Sequence, residues 1–413
     1  LSPPEAAELA RKRVVVTGQG TINPLGSSVP ATWDAMASGA CAIGPLELGD
    51  LDRLSIRIGG QVRNYQPEDH FDRQQLALYD RFTQFALIAA GEALSDADLE
   101  IDGEQGLASG VVIGTAGGGL NTWDSSYRAV YAEGKNRVHP FVVPKLMNNA
   151  AASHISMTYG LRGPSFSVST ACASSNHAIG LAFSMVRDGM SSLILAGGSE
   201  SMLCFGGIKA WEGLRVMSSE ACRPFSANRT GMVQGEGAAV FVLEEREHAL
   251  ARGANILAEI CGFSMTSDAG DIVMPSTDGA ARAMRGALKD AGLGPDAIQY
   301  INAHGTGTAA NDRTECKAIR EVFGDEADRL MLSSTKSMHG HLIGGTGAVE
   351  MLACTLALNR GIVAPTIGYE RPDPDCPLDV VPNEARNARV THTLSNAFAF
   401  GGLNAVLVIG AGS

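Results

Sequence analysis

The sequence predicts a layered α/β protein made of two related halves. Three observations carry that expectation. Short continuous apolar runs suit strands covered on both faces, apolar residues at helical spacing fill the segments between them, and the alternation restarts after a charged seam, Glu244 to Arg252. Val14 to Gly18, Gly110 to Gly114 and Leu193 to Gly198 read as strands, and Asp80 to Leu94 carries Phe82, Phe85, Ala86, Ala89, Ala90 and Ala93 on one helical face. Ala238 to Glu244 closes the first half as another strand. Beyond the seam, Leu257 to Ile260, Ile298 to Ala303 and Leu330 to Thr335 read as strands, with helices over Gly279 to Ala291 and Thr346 to Leu358. The tail pairs Thr391 to Phe398 with Asn404 to Ile409 around Gly401-Gly402. The expected division is 12–250 and 251–413, although no repeat can be demonstrated from residue identity alone.

Composition narrows the class of protein. A chain of 413 residues can bury a large core. Its 49 glycines exceed the usual ~7 % share, yet they stand at the ends of apolar runs and form no repeat. Eight cysteines without CxxC spacing, and no leader-like segment ahead of Arg11-Lys12-Arg13, point to reduced thiols and a cytoplasmic location. No apolar run reaches the ~18 residues of a membrane span. With 32 basic against 44 acidic residues, the charge of -12 opposes non-specific attraction to nucleic acid.

Cys172 is the candidate nucleophile. It lies in Ser167-Val168-Ser169-Thr170-Ala171-Cys172-Ala173-Ser174-Ser175-Asn176-His177, where a strand gives way to a helix. The positive end of the helix dipole is expected to lower the thiol pKa there. Two histidine motifs supply partners: His304 opens His304-Gly305-Thr306-Gly307-Thr308, and His341 closes Lys336-Ser337-Met338-His339-Gly340-His341. Plainer readings compete with these. Most isolated cysteines are inert core residues, and the other seven are read that way. His339 and His341 have the spacing of metal ligands on a strand, but no third ligand accompanies them, so no metal is expected. Gly117-Gly118-Gly119 lacks the Lys-Ser/Thr ending of a phosphate loop and reads as a turn or a close backbone approach. His177 is read as a structural hydrogen-bonding residue. His70, His139, His154, His248 and His392 have no motif around them.

Together these segments resemble the β-ketoacyl-[acyl carrier protein] synthases, and most closely the type II elongation enzymes, from about Arg13 to Ile409. Thr170 to Ser174 resembles the nucleophile motif and His304 to Thr308 the first histidine motif. Lys336 to His341 with Gly344-Gly345-Thr346-Gly347 resembles the second, and Ser395 to Asn404 the C-terminal glycine loop. The resemblance implies the thiolase-like fold, two α/β halves stacked in five layers, with the nucleophile in the first half and both catalytic histidines in the second. It implies a dimer with Phe166 to Thr170 near the interface, either a homodimer or a heterodimer with a chain-length factor. The implied reaction is a decarboxylative Claisen condensation that extends an acyl chain by two carbons, with acyl carrier protein as partner and no cofactor beyond the carrier's phosphopantetheine. Cys172 would carry the acyl group, the amides of Cys172 and Phe400 would form the oxyanion hole, and His304 and His341 would hold the enolate. Lys336 and Glu350 match supporting positions, Thr306 and Thr308 the pantetheine-binding ones, and Phe400 the gate.

The alternatives are a degradative thiolase, a non-catalytic chain-length-factor-like subunit and a cysteine protease. A thiolase needs a second reactive cysteine near the C-terminus, whereas the last one here is Cys376. A chain-length factor lacks the nucleophile. A protease leaves the second histidine motif unexplained. Departures from the elongation pattern bear on specificity. Gly117 replaces a bulky aliphatic residue, which predicts a deeper acyl pocket, and Trp211 replaces a smaller aromatic. Ala397 and Ala399 replace Ser and Gly beside Phe400. Arg73 to Leu78 carries little of the positive charge expected of a carrier-docking helix, and Ser226 and Met232 resemble the nodulation-type branch. Specialised nodulation-type, polyene or polyketide acyl synthesis therefore stands beside fatty-acid elongation.

Overall fold

A computed structural model describes residues 11–412. Ten strands form its main sheet: β1 (Val14–Ile22), β2 (Ser109–Gly114), β3 (Ser165–Val168), β4 (Leu193–Glu200), β5 (Gly237–Glu245), β6 (Ala258–Ser267), β7 (Tyr300–Asn302), β8 (Met331–Ser333), β9 (His392–Ala399) and β10 (Leu403–Ala411). Their order is β8-β7-β9-β10-β6-β1-β5-β4-β2-β3. Counted within each half, both sets of five run third, second, fourth, fifth, first. The senses match as well. β2 is parallel to β3 and β4, and β5 is antiparallel to β4 and β1. Likewise β7 is parallel to β8 and β9, and β10 is antiparallel to β9 and β6. The duplication hidden in residue identity is therefore plain in topology. The sets meet where Val14 to Val16 pairs with Ala258 to Ile260.

Seven helices complete the layers: α1 (Arg81–Asp96), α2 (Ala150–Tyr159), α3 (Ser174–Arg187), α4 (Phe205–Gly213), α5 (Thr277–Ala291), α6 (Ala309–Phe323) and α7 (Thr346–Arg360). Strand alternation decides what each covers. On β5, Ala238, Val240 and Val242 pack with α1 and α2, whereas Ala239, Phe241 and Leu243 pack inward with Ile179 and Phe183 of α3 and Met351 and Leu352 of α7. On β10, Leu407 and Ile409 join that same inner core, while Val406 and Val408 face α5 and α6. The result is five layers, helix, sheet, helix, sheet, helix, with α3 and α7 buried in the middle. The predicted strands and helices all form, and the seam becomes a short helix, Arg246–Ala251, tied down by Glu244, which accepts from Thr17, His248 and Arg252. Ser413, the end of the expected second half, lies outside the described residues. No helix among the described residues is long and apolar enough to cross a membrane.

This topology places the motifs. Cys172 lies between the third strand of its half and the inner helix α3, and Lys336 to His341 occupies the matching connection from β8 to α7. The two connections meet in the middle layer.

Candidate active site

Ala171 holds a left-handed φ of +47°, unusual for a residue with a side chain. This sharp turn is fixed by local bonds: Ser174 Oγ donates to Ala171 O at 2.7 Å and accepts from Thr170 N at 2.9 Å. His177 Nδ1 lies 2.9 Å from Thr170 Oγ1 and 3.0 Å from Ala173 O, which gives it the structural role the sequence suggested. Cys172 is thereby turned inward and buried. The expected lowering of its pKa is overturned. Burial pushes the thiol up to about 12, against smaller downward pulls from the Lys336 charge and from the backbone amides of Phe400 and Cys172. Desolvation of a thiolate outweighs a helix terminus two residues away.

His304 follows β7. Its backbone N–H and that of Gly305 each donate to Glu315 on α6 at 2.8 Å, and Asn396 Nδ2 of β9 holds the same carboxylate at 3.1 Å. His341 is fixed differently. Ile343 N–H donates to its Nδ1 at 3.1 Å, and Thr346 Oγ1 lies 2.8 Å from that atom. An Nδ1 that accepts carries no proton, so the neutral ring bears its proton on Nε2. That Nε2 and His304 Nδ1 are buried without a partner among the described residues. The rings meet edge to face with centroids 5.5 Å apart. The Cys172 thiol and one nitrogen of each ring lie within 4.8 Å of one another. Burial, reinforced by the Lys336 charge, holds both imidazoles well below their ordinary pKa and so neutral.

Lys336 is fully buried and donates to Glu350 Oε1 of α7 at 2.5 Å. Burial raises the Glu350 carboxyl to about 7 despite that partner. His339 stands apart from the trio, with Nδ1 2.7 Å from Gly340 O and Nε2 3.0 Å from Thr335 Oγ1. Both its nitrogens are occupied, and it lies on a short helix, Lys336–His339, instead of a strand. The paired-ligand reading of His339 and His341 fails on that geometry.

A cavity of about 190 Å³ runs from the surface to Cys172, lined by His304, His341, Thr306, Thr308, Phe400 and Trp211 among others. The Thr306 and Thr308 hydroxyls are 2.9 Å apart on its wall. Trp211 of α4 stacks on Phe400 with centroids 5.9 Å apart, joining the aromatic replacement to the gate. Phe400 is followed by Gly401 and Gly402, both at positive φ, and Gly401 N–H donates to Ile272 O at 2.8 Å. Gly117 does not line this cavity, so the expected deeper pocket is not found. A Cβ at position 117 would sit 2.2 Å from Met202 Cε. Methionine fills the room that the missing side chain leaves.

Several residues escaped sequence reasoning. Glu315 gave no signal beyond being an acid on an amphipathic helix. Glu200, at the end of β4, accepts from Thr115 Oγ1 and from the amides of Ala116, Gly117 and Gly344, so it pins the Gly117 turn to the second histidine segment. Burial lifts its pKa to about 7. Met202 gave no signal at all. Ser226 accepts from the amides of Glu370 and Arg371 and does not reach the cavity lining, whereas Met232 does line it. Cys376 packs with Cys316 in the outer core of the second half.

Comparison with known proteins shows the family of the chain. The family described as "Beta-ketoacyl synthase, N-terminal domain" matches residues 11–249, and "Beta-ketoacyl synthase, C-terminal domain" matches 257–370. The chain is 48% identical over 396 residues to Nodulation protein E of Rhizobium sp. (strain N33), covering 96% of this chain and 98% of that protein. It is 42% identical over 404 residues to 3-oxoacyl-[acyl-carrier-protein] synthase 2 of Staphylococcus aureus (strain N315), again covering 96% and 98%. Among solved structures, the ishigamide ketosynthase/chain length factor superposes with a TM-score of 0.93 at 34% identity, covering 98% of this chain and 100% of that one. With its thiolase-like layers and its thiol and two imidazoles at the end of one cavity, the chain belongs to the β-ketoacyl synthase family of acyl-transferring condensing enzymes.

Proposed function

We propose that the protein is a 3-oxoacyl-[acyl carrier protein] synthase in which Cys172, His304 and His341 perform the chemistry. The observation that carries this reading is the approach of one thiol and two neutral imidazoles to within 4.8 Å. In the first step the Cys172 sulfur attacks the thioester of an acyl carrier protein, and the carrier's thiol leaves with the proton. Because the free thiol is held high, up to about 12, that proton must pass to a base as the bond forms. The amides of Cys172 and Phe400, which already bear on the sulfur, form the oxyanion hole. Malonyl carrier protein then binds, with its pantetheine arm on Thr306 and Thr308. Carbon dioxide departs, and the electron pair left behind forms an enolate whose oxygen accepts from His341 Nε2–H and from the His304 ring. The enolate carbon attacks the acyl-Cys172 carbonyl and expels the sulfur, giving a 3-oxoacyl chain two carbons longer. Lys336, paired with Glu350, adds to burial in keeping the rings neutral, each with one N–H to donate.

No cofactor or metal takes part beyond the carrier's own arm, and the reaction runs in the cytoplasm. The partner is acyl carrier protein. The subunits form a homodimer through the free edge of β3, the outermost strand of the first half, with a chain-length-factor heterodimer as the second reading, favoured by the likeness to the ishigamide pair. Similarity to Nodulation protein E supports a specialised acyl chain over housekeeping elongation. Two half-reactions test the assignment. Cys172→Ala should abolish acyl transfer, read as the acyl mass gained by the protein, while malonyl carrier protein is still decarboxylated. His341→Ala should lower decarboxylation by at least about 100-fold, the scale of losing one oxyanion donor. Acyl mass on another residue, or undiminished decarboxylation without His341, would defeat it.

A further inference from the structure

His341 owes its tautomer to one backbone amide. Thr346 Oγ1, 2.8 Å from His341 Nδ1, belongs to a hydroxyl that can give or take a hydrogen, so it fits either tautomer. Ile343 N–H can only donate, and at 3.1 Å it requires a bare Nδ1 and a proton on Nε2. Ile343 presents that amide from a left-handed φ of +49°, which a β-branched residue holds only where its surroundings impose it. The next residue shows what imposes it. Gly344 N–H donates to Glu200 Oε2 at 3.1 Å, and Gly344 O accepts from Ser175 Oγ. Both partners belong to the first half: Glu200 ends β4, and Ser175 stands in the first turn of α3, three residues beyond the nucleophile. The approach is so close that a Cβ at Gly344 would lie 2.4 Å from Ala116 N. Glu200 is itself fixed. It is fully buried, and its oxygens also accept from Thr115 Oγ1 at 3.1 Å, Ala116 N at 2.7 Å and Gly117 N at 3.2 Å. Neither Glu200 nor Ser175 lines the cavity, so neither meets the substrate.

We propose that Glu200 is a positioning residue for His341. With Ser175 it clamps Gly344, holds Ile343 in its left-handed turn and so keeps the His341 proton on Nε2, where the enolate oxygen needs it. This rests on the proposed part of His341 in decarboxylation and goes beyond it by assigning what prepares the ring. The first half thus supplies both the nucleophile and the brace for the imidazole of the second.

The test compares two half-reactions of the full-length protein, decarboxylation of malonyl carrier protein and gain of acyl mass on Cys172. Glu200→Met keeps the length of the side chain but offers the amides only a weakly accepting sulfur. It should lower kcat for decarboxylation by about 10- to 100-fold, the scale of misplacing a reacting group by an ångström, and leave KM and the rate of acyl gain within about threefold of wild type. In protein carrying 15N-labelled histidine, the His341 signal, recognised by its loss in His341→Ala, should change from one Nε2-protonated tautomer to a mixture. A merely structural residue would leave that signal alone. Glu200→Gln can turn its amino group to the Thr115 hydroxyl and keep its oxygen for Gly344, so it should recover most of the lost rate. Ser175→Ala, which orphans no amide, carries the test if Glu200→Met does not fold, and should lower the same kcat by about threefold or more, the worth of one ordinary hydrogen bond. A wild-type rate and His341 signal in Glu200→Met, or in Ser175→Ala where Glu200→Met is unfolded, would overturn the inference. Equal losses in both half-reactions would overturn it too, and in either case the proposed reaction would stand. No decarboxylation by the wild type would overturn both.

Discussion

At the residue scale the site depends on charge states set by burial. Both imidazoles are held neutral by desolvation and by the buried Lys336 charge, and the thiol is pushed up to about 12. Below that value the thiolate fraction grows tenfold with each pH unit. Alkylation of Cys172 by iodoacetamide should accordingly keep accelerating from about pH 6 to about pH 9. A plateau near neutrality would mean that the α3 terminus, and not burial, governs the sulfur. The sequence made Cys172, His304, His341 and Lys336 legible because each stands inside a short ordered motif, and Glu350 only through the resemblance of its position. It misassigned the direction of the thiol's shift because the dipole is a local property and desolvation is a property of the packed whole. Glu315 and Glu200 were illegible for a related reason. Each acts by accepting amide hydrogens from segments far away in the chain, and no spacing rule records that.

At the element scale the inner helices α3 and α7 decide how closely the halves approach. Gly180 of α3 faces Phe263 of β6, and a Cβ there would lie 2.2 Å from a ring carbon. The ring is planar and cannot fold aside as a thioether can. Gly180→Ala should therefore destabilise the protein by about 1–3 kcal/mol through overpacking, although alanine is the better helix former by about 1 kcal/mol. Denaturant unfolding checks this, and Gly180→Ala with Phe263→Leu should recover part of the loss. Equal or greater stability of the single variant would show that the layers separate freely. The strands and the helices α1, α3, α5 and α7 were read from sequence, since apolar runs and helical periodicity are local, whereas α2, α4 and α6 were not. β7 and β8, with three residues each, were read too long at both ends, because Ile298, Ala303 and Leu330 extend the apolar runs and Ser334 and Thr335 are small or β-branched, although none of them is paired in the sheet. The short helix carrying His339 was missed because its single turn has no period to detect.

At the scale of the whole molecule, the matching strand orders place one chemical segment in each half: the thiol turn in the first and the Lys336 to His341 turn in the second. Sequence predicted two related halves, and the strand order shows that they share one topology. β3 leaves one edge of the sheet unpaired, and the exposed Tyr131, Phe141, Val143, Met147 and Met157 lie in the stretch of chain just before it. Sedimentation should find twice the monomer mass, and Ser167→Pro, which bars a further strand from that edge, should yield monomers; a wild-type monomer at micromolar concentration would contradict the proposed dimer. The splitting of the chemistry between copies has a mechanical corollary. The Cys172 sulfur rides on one half and His341 on the other, so turnover reports how the halves fit much as a feeler gauge reports a gap. Mild pressure or dilute urea that loosens their seating should silence the enzyme while circular dichroism still registers every helix.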